Sequence, residues 1–565
     1  MKGQDILSEI ASTSSGEFYT PLPEGYKAGK TKYVVITGSV ISGVGKGTLS
    51  SSLCKLLQDR GMKVEPIKLE AYLNVDSGTL NPFRHGEVFV LDDGSETDLD
   101  LGTYERALDK NLSGENFVTS GKIYQKIIEK ERAGKYLGRD VQFIPHVTGE
   151  IKLVLRNLAV KTNADVIIIE IGGTVGDYEN MFALEALREL KYEEGPENVC
   201  FTNITYILEP KSLGEQKSKA AQLGIKRLLE MGIQPQAVIC RSQTKLKESI
   251  KEKMSLYLNI PKENVFGIHD VSNIYSLPLD LRKAGFDESI LKELNMEKKF
   301  KANGNSKLKE WNKKTSCCGK DKPIKIGIAG KYTGTSDTYI SILKALEHCS
   351  FKINRPVKVT WVETTEIEKG KKVEETLKGI DGVIVPGGFG TRGVEGKIAV
   401  AKYCREKNVP YLGLCLGFQI ALIEFARNVL GIKEANSTEF NPKTKEPVIC
   451  LLPEQRKIEG LGGNMRLGGH DVQLKEGTKA SRLHDKAKTI RRRFRHRFEC
   501  NPEYIERFEK EGIVFSGKAP KVPIMQILEM PKHKFLMASQ FHPELTSRPL
   551  HPDELFLEFT KKAAE

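Results

Sequence analysis

Pro410-Tyr411-Leu412-Gly413-Leu414-Cys415-Leu416-Gly417-Phe418-Gln419 carries a single cysteine out of an apolar run and straight into a helical pattern, and Phe541-His542-Pro543-Glu544 follows well downstream. The run ending at Leu414 reads as a buried strand. Gly413 and Gly417 remove the side chains that would block so tight a strand-to-helix turn. A cysteine at such an elbow meets the first N–H groups of the helix and its dipole. Both favour thiolate over thiol and can hold the oxyanion of a tetrahedral intermediate. A thiol, an imidazole and a carboxylate in that order are the parts of a cysteine-based acyl-transfer site, with Cys415, His542 and Glu544 as candidates. The other nine of the ten cysteines read as structural.

Outward from the elbow, β-branched runs alternate with helical patterns, the signature of an α/β parallel sheet. Tyr33 to Thr37, Val64 to Leu69, Val166 to Ile169, Ile204 to Leu208 and Ala237 to Cys240 are expected strands, and the pattern restarts with Ile324 to Ala329, Val357 to Val362, Gly382 to Val385 and Tyr411 to Leu414. A chain of 565 residues is too long for one core. The expected division is an N-terminal extension (1–29), a first domain (30–295), a basic linker (296–322) and a second domain (323–565). Between Glu297 and Lys322 nine lysines face three acidic residues, so this stretch supplies +6 of the formal +13. It is expected to be a solvated connector, and the polar extension to be poorly ordered. The remaining positive excess is modest and suits small anionic ligands better than a nucleic acid. No apolar run reaches the roughly 18 residues of a membrane span, so no membrane partner and a cytoplasmic location are expected. The cysteines form no C-x-x-C pair, and Cys317-Cys318 is assigned no role.

In the first domain the leading strand runs into Thr37-Gly38-Ser39-Val40-Ile41-Ser42-Gly43-Val44-Gly45-Lys46-Gly47-Thr48. Backbone N–H groups of such a turn cradle phosphates, and the lysine neutralises their charge. Val40 and Gly47 depart from a regular P-loop, so a metal must find oxygen ligands elsewhere. Asp100, in Glu96-Thr97-Asp98-Leu99-Asp100-Leu101-Gly102, and Glu170, closing the strand Val166 to Ile169, are the candidates.

With Pro386-Gly387-Gly388-Phe389-Gly390 after the strand Gly382 to Val385, the elbow resembles class I glutamine amidotransferases. The resemblance implies that Cys415, His542 and Glu544 hydrolyse a side-chain amide to ammonia. It also implies that Gly388, Leu416, Gly417, Phe418, Gln419, Glu439 and Arg497 hold L-glutamine. In the first half, Lys68 to Thr79, His85 to Val90, Glu96 to Gly102, Glu170 to Asp177 and Gly214 to Gln222 resemble the CTP synthase family. That likeness runs from about Lys32 to the C-terminus, apart from the linker. It implies two doubly wound α/β domains, a P-loop-like synthetase and an amidotransferase, which aminate UTP to CTP with ATP through a 4-phosphorylated UTP. By the same resemblance ATP lies on Gly43, Val44, Gly45, Lys46, Gly47, Thr48, Lys68 and Asp100, and Mg2+ on Asp100 and Glu170. UTP or CTP meets Ser42, Asp177, Tyr178, Glu179, Lys217, Ser218, Lys219, Ala220, Ala221, Gln222 and Lys253. The family further implies an ammonia passage past His85 and Val88, a homotetramer that can build filaments, and GTP as allosteric activator.

Two departures stand out. Glu70-Ala71 replaces the Asp-Pro common in the family. The segment Glu454 to Glu459 is short for a GTP-linked lid, leaving Phe389 and Arg392 as candidate GTP contacts. Two rival readings are weaker: the segment Gly214 to Gln222 argues against a ligase that amidates a cofactor carboxylate, and the intact Cys415, Lys46 and Glu170 argue against a catalytically silent scaffold.

Overall fold

The computed structural model describes residues 19, 21–212, 214–301, 306–317, 319–331, 336–451 and 465–565. Packing divides it into two compact units, residues 1–79 with 103–313, and residues 80–102 with 314–565. The segment 80–102 thus packs with the second unit although it precedes the bulk of the first in sequence. The later boundary, between Lys313 and Lys314, falls inside the expected linker 296–322.

The first unit is built on β1 (Lys32–Gly38), β2 (Val64–Glu70), β5 (Phe117–Thr119), β6 (Val166–Ile171), β7 (Val199–Tyr206), β8 (Ala237–Ser242) and β9 (Val265–His269). Their order is β5-β2-β6-β1-β7-β8-β9 and all neighbours are parallel. Tyr33, Val34, Val35, Ile36 and Ile167, Ile168, Ile169 are fully buried, as strands covered on both faces require. The reversal of strand order at β1 opens a crevice at the carboxyl ends, where ligands of such sheets sit.

In the second unit β3 (Phe89–Val90) and β4 (Glu96–Thr97) form a small hairpin. The main sheet contains β10 (Ile324–Gly330), β11 (Val357–Glu363), β12 (Gly382–Val385) and β13 (Tyr411–Leu414). β14 (Ala435–Ser437), β15 (Glu446–Cys450) and β18 (Glu499–Cys500) make a three-stranded side sheet. β16 (Arg466–Leu474), β17 (Thr489–His496), β19 (Val514–Lys518), β20 (Met525–Glu529) and β21 (Leu536–Ser539) complete the main sheet, whose order is β11-β10-β12-β13-β21-β20-β19-β16-β17. It is parallel from β11 to β21 and antiparallel beyond. The second unit thus has the expected α/β parallel core, extended by an antiparallel edge. Residues 530–535 between β20 and β21 are too few for the crossover of about a dozen residues that a parallel neighbour needs.

The linker is not a bare solvated connector. It forms a helix, Ser306–Lys314, with Leu308 and Trp311 buried three residues apart. The Trp311 indole N–H donates to Tyr275 O at 3.2 Å, and Lys55 Nζ stands 4.1 Å from the ring centroid. Two apolar side chains on one face of a lysine-rich helix sufficed to dock it, a signal that composition alone hides. Of the N-terminal extension, residues 1–18 and 20 lie outside the described residues. Tyr26, by contrast, hydrogen-bonds Tyr33 at 2.9 Å, and Gly29 N donates to Glu194 at 3.1 Å.

Candidate functional site

Cys415 stands between β13 and the helix Leu416–Asn428 with φ 51° and ψ −100°, a left-handed conformation that costs a non-glycine residue about 1–3 kcal/mol. The turn closes because Gly417 has no side chain: a Cβ there would stand 2.1 Å from Val385 O. Cys415 N donates to Ser539 O at 2.8 Å, tying the elbow to β21. The thiol is 4 % exposed, with Sγ 3.7 Å from Arg495 O and 3.7 Å from Gln540 Nε2.

His542 Nδ1 is 2.7 Å from Glu544 Oε1, and among the described residues its Nε2 has no hydrogen-bond partner. Burial alone would lower the imidazole pKa. The Glu544 carboxylate and Cys415 outweigh it and raise the pKa to about 10. The loop Pro386-Gly387-Gly388 passes directly over the pair, since a Cβ on Gly387 would stand 2.9 Å from His542 Cε1 and 3.5 Å from Cys415 Cβ.

Of the residues expected to hold glutamine, Leu416, Gly417, Phe418 and Gln419 form the first turn of the elbow helix. Gln419 Nε2 donates to Phe498 O at 2.9 Å and Gln540 Oε1 at 3.2 Å. Glu439 Oε1 accepts from Gly390 N at 2.8 Å. Burial raises its carboxyl pKa, against the pull of that N–H, Lys331, Arg497 and Lys397. Arg497, Lys331 and Lys397 thus lie within electrostatic reach of Glu439. Phe389 is half-exposed beneath the Arg495 guanidinium, 5.1 Å from its ring centroid, and Arg392 donates to Lys331 O at 3.2 Å. Glu454 to Glu459 lie outside the described residues.

In the first unit, Gly45 at φ 103° caps the helix Lys46–Asp59, so the N–H groups of Lys46, Gly47 and Thr48 open into the crevice after β1. Lys46 Nζ donates to Gly173 O at 2.6 Å. Arg241 holds the loop from behind, donating to Val44 O at 3.1 Å and Gly43 O at 3.4 Å. At the end of β6, Glu170 is 1 % exposed and accepts from Lys68 Nζ at 2.8 Å and from the Tyr104 hydroxyl. Glu70 pairs with Lys68 at 3.3 Å, and a Cβ on Gly172 would fall 2.5 Å from its Oε2, so the longer carboxylate is accommodated over a glycine.

Asp100 belongs to the second packing unit, in the first turn of the helix Leu99–Leu108. Among the described residues no three His, Cys, Asp or Glu side chains form a metal-holding group. Magnesium does not need one: it is commonly held by one or two carboxylates with water and substrate phosphates, and the buried oxygens of Glu170 are of that hard type.

The nucleotide-binding residues expected from sequence divide into two groups. Ser42 is exposed on the glycine-rich loop. Lys217 pairs with Glu215, whose carboxyl pKa is held down by Lys217, with Lys253 and Lys247 contributing. Ser218 caps the helix Lys219–Glu230, which contains Ala220 and Ala221, and accepts from Gln222 Nε2 at 3.0 Å. On the other side Asp177 accepts from Thr174 N at 2.7 Å, and Tyr178 is exposed. Glu179 lines a small, mostly apolar cavity of about 30 Å³ with Glu70, Ser120, Tyr124 and Phe182. His85 is exposed rather than packed in a core, and it lies with Val88 in the segment 80–102.

Three functional neighbours escaped the sequence reading: Gln540 against the thiol, Arg241 behind the phosphate loop and Tyr104 on Glu170. Gln540 stands two positions before His542, which was the available signal. The other two are brought in only by the packing of distant strands and helices.

The family profile of the CTP synthase N-terminus matches residues 32–296, and that of glutamine amidotransferase class-I matches residues 335–562. The CTP synthase of Pyrococcus abyssi is 48 % identical over 538 residues, covering 95 % of this chain and 98 % of its own. That of Staphylococcus haemolyticus is 45 % identical over 534 residues, covering 94 % and 99 %. The solved glutaminase domain of Trypanosoma brucei CTPS with bound acivicin is 36 % identical, covering 43 % of this chain and 94 % of its own, with a TM-score of 0.41. With both halves matched along nearly their full length, the chain belongs to the CTP synthase family of glutamine-hydrolysing ligases.

Proposed function

We propose that the chain aminates UTP through a 4-phosphorylated intermediate, with ammonia released from glutamine at Cys415. The arrangement that carries this reading is the buried thiol on its elbow beneath the Gly387-Gly388 loop, with the His542–Glu544 pair beside it. The thiolate attacks the side-chain amide carbon, and the oxyanion so formed lies within reach of the N–H groups of Gly388 and Leu416. As the carbon–nitrogen bond breaks, the imidazolium of His542 gives its proton to the leaving ammonia. The neutral imidazole then takes a proton from the water that hydrolyses the thioester, freeing glutamate. Glu544 holds the ring by Nδ1 and stabilises its charge.

On the synthetase side the uracil 4-oxygen leaves poorly at neutral pH, and phosphorylation by ATP converts it into a phosphate leaving group. Lys46 and Lys68 supply positive charge, and Glu170, together with Asp100 as read from sequence, is the carboxylate that would hold magnesium. Bound there, magnesium neutralises charge on the phosphates. Lys217, Lys219, Gln222, Ser42 and Lys253 are assigned to the pyrimidine triphosphate, and Asp177, Tyr178 and Glu179 to the product base and ribose. A homotetramer, GTP activation through Phe389 and Arg392, and a cytoplasmic location complete the proposal.

The test is CTP formation by Cys415→Ala with each nitrogen donor. Glutamine-dependent synthesis is expected to vanish, and ammonia-dependent synthesis to stay within about twofold of the parent. Equal loss with both donors in folded protein would overturn the two-site reading.

A further inference from the structure

Lys397 is among the most deeply buried lysines of the chain. It lies one turn into the helix Val394–Lys407 and is 1 % exposed. Among the described residues its ammonium makes one hydrogen bond, to Pro386 O at 3.2 Å. A buried ammonium with a single carbonyl keeps most of its desolvation penalty, and an apolar side chain of the same length would be more stable there. Such a cost is most often retained where charge is used.

The place is informative. Nζ stands 3.8 Å from the position of a Cβ on Gly388, while the other side of the same loop faces His542 Cε1 and Cys415 Cβ through Gly387. The loop is therefore held between Lys397 behind and the catalytic pair in front. We propose that Lys397 is a positioning residue for amide hydrolysis, fixing the Pro386–Gly388 loop so that its N–H groups meet the oxyanion formed at Cys415. Its charge withdraws electron density through the Pro386 carbonyl and orients the next peptide, whose N–H is the Gly388 donor. This rests on the amide-hydrolysis reading of Cys415.

The electrostatic surroundings make the effect pH-dependent. Burial, with Lys331 beside it, lowers the Lys397 ammonium to about 7, against the pull of Cys415 and Glu439. Other charged groups on the packed elements are engaged elsewhere. Glu368 accepts from Gly393 N and Glu395 N, Glu424 pairs with Arg405, and Glu395 pairs with Arg427. His542 and Glu544 pair with each other beyond Cys415, and Arg497 lies beyond Glu439. The charged form is thus present below about 7 and lost above it.

The experiment compares wild type with Lys397→Met, a linear neutral side chain, in the full-length protein. Glutamine hydrolysis, ammonia-dependent CTP formation and thermal unfolding are measured across pH. The variant is expected to lose about tenfold in kcat for glutamine hydrolysis with KM for glutamine within about twofold, the signature of a group acting in the transition state. Ammonia-dependent synthesis and the unfolding temperature should not fall. The wild-type kcat profile should decline through about pH 7, and the variant should lack that limb. An unchanged kcat and pH profile in K397M overturns the proposal, as does a parallel loss of ammonia-dependent synthesis and thermal stability. A wild-type profile without a limb near neutrality overturns it without recourse to any variant. If wild type releases no ammonia from glutamine, the reading of Cys415 falls as well. If wild type and K397M release it equally, only the role of Lys397 falls.

Discussion

His542 is enclosed by protein yet carries an imidazole held at about 10, because Glu544 and Cys415 supply more favourable charge than burial removes. The consequence has a definite sign. Since the folded-state pKa lies above the ordinary 6.5, this stabilisation is complete below about 6.5 and is lost as pH rises through about 10. At neutral pH the resting imidazole therefore carries its proton, ready to give it to the leaving nitrogen. Glu544→Gln keeps the size of the side chain and removes the largest source of that elevation. The imidazole pKa should fall, and glutamine hydrolysis should drop on the order of 10²-fold. A pH titration of the His542 ring by NMR, with the hydrolysis profile, checks both links. Profiles that superimpose on the wild type would show that Glu544 acts on orientation alone.

Elements place these groups by close approach as much as by hydrogen bonding. Gly417→Ala would drive a methyl group to 2.1 Å from Val385 O, and backbone of β12 cannot yield as a flexible side chain can. We expect a loss of about 2–3 kcal/mol in stability by denaturant unfolding, with glutamine hydrolysis falling more than ammonia-dependent synthesis. A variant as stable and as active as its parent would mean that the elbow is looser than the contacts require.

β17 performs a second kind of placement. Its side chains reach the segment 80–102: Arg491 to Asp92 at 3.0 Å, Arg493 to Val90 O at 3.2 Å and Arg495 to Glu96 at 2.7 Å. Its backbone oxygens reach the catalytic pair, with Arg493 O accepting from His542 N at 2.8 Å and Arg495 O standing 3.7 Å from Cys415 Sγ. Glu96→Gln should lower kcat for glutamine hydrolysis by about two- to fivefold, in keeping with the roughly 1 kcal/mol that a partly exposed pair contributes. Unaltered hydrolysis kinetics would disconnect the hairpin from the thiol.

The elbow and the glycine-rich loop were legible in sequence because each is local: a strand, a turn residue and a helix start within a dozen positions. β16 and β17 were not read, because polar and exposed residues interrupt them and they lack the continuous apolar run of a doubly covered strand. Tyr104 gains meaning only from Glu170, 66 positions away.

At the scale of the whole molecule, two chemistries share one chain, and the sharpest test is whether one can be stopped while the other runs. Glu170 suits that test because it accepts from Lys68 at 2.8 Å and from the Tyr104 hydroxyl, both in the first unit. Glu170→Gln preserves the side-chain size but removes one carboxylate from the buried Lys68 ammonium, 4 % exposed, which Glu70 still faces at 3.3 Å. Breaking a buried pair from one side costs up to about 3–5 kcal/mol, and the second carboxylate should hold the loss toward the lower end. Unfolding must therefore be measured beside activity. In folded E170Q, CTP formation should fall at least about 100-fold with either nitrogen source, since phosphoryl transfer depends on charge placed at the phosphates. Hydrolysis of glutamine in the absence of nucleotides should continue within about twofold, because Cys415, His542 and Glu544 belong to the other unit. Near-normal ammonia-dependent turnover would show that other groups hold the metal and phosphates. A matching collapse of glutamine hydrolysis in folded protein would show that the two centres are not separable, and that the chain works as one site rather than two.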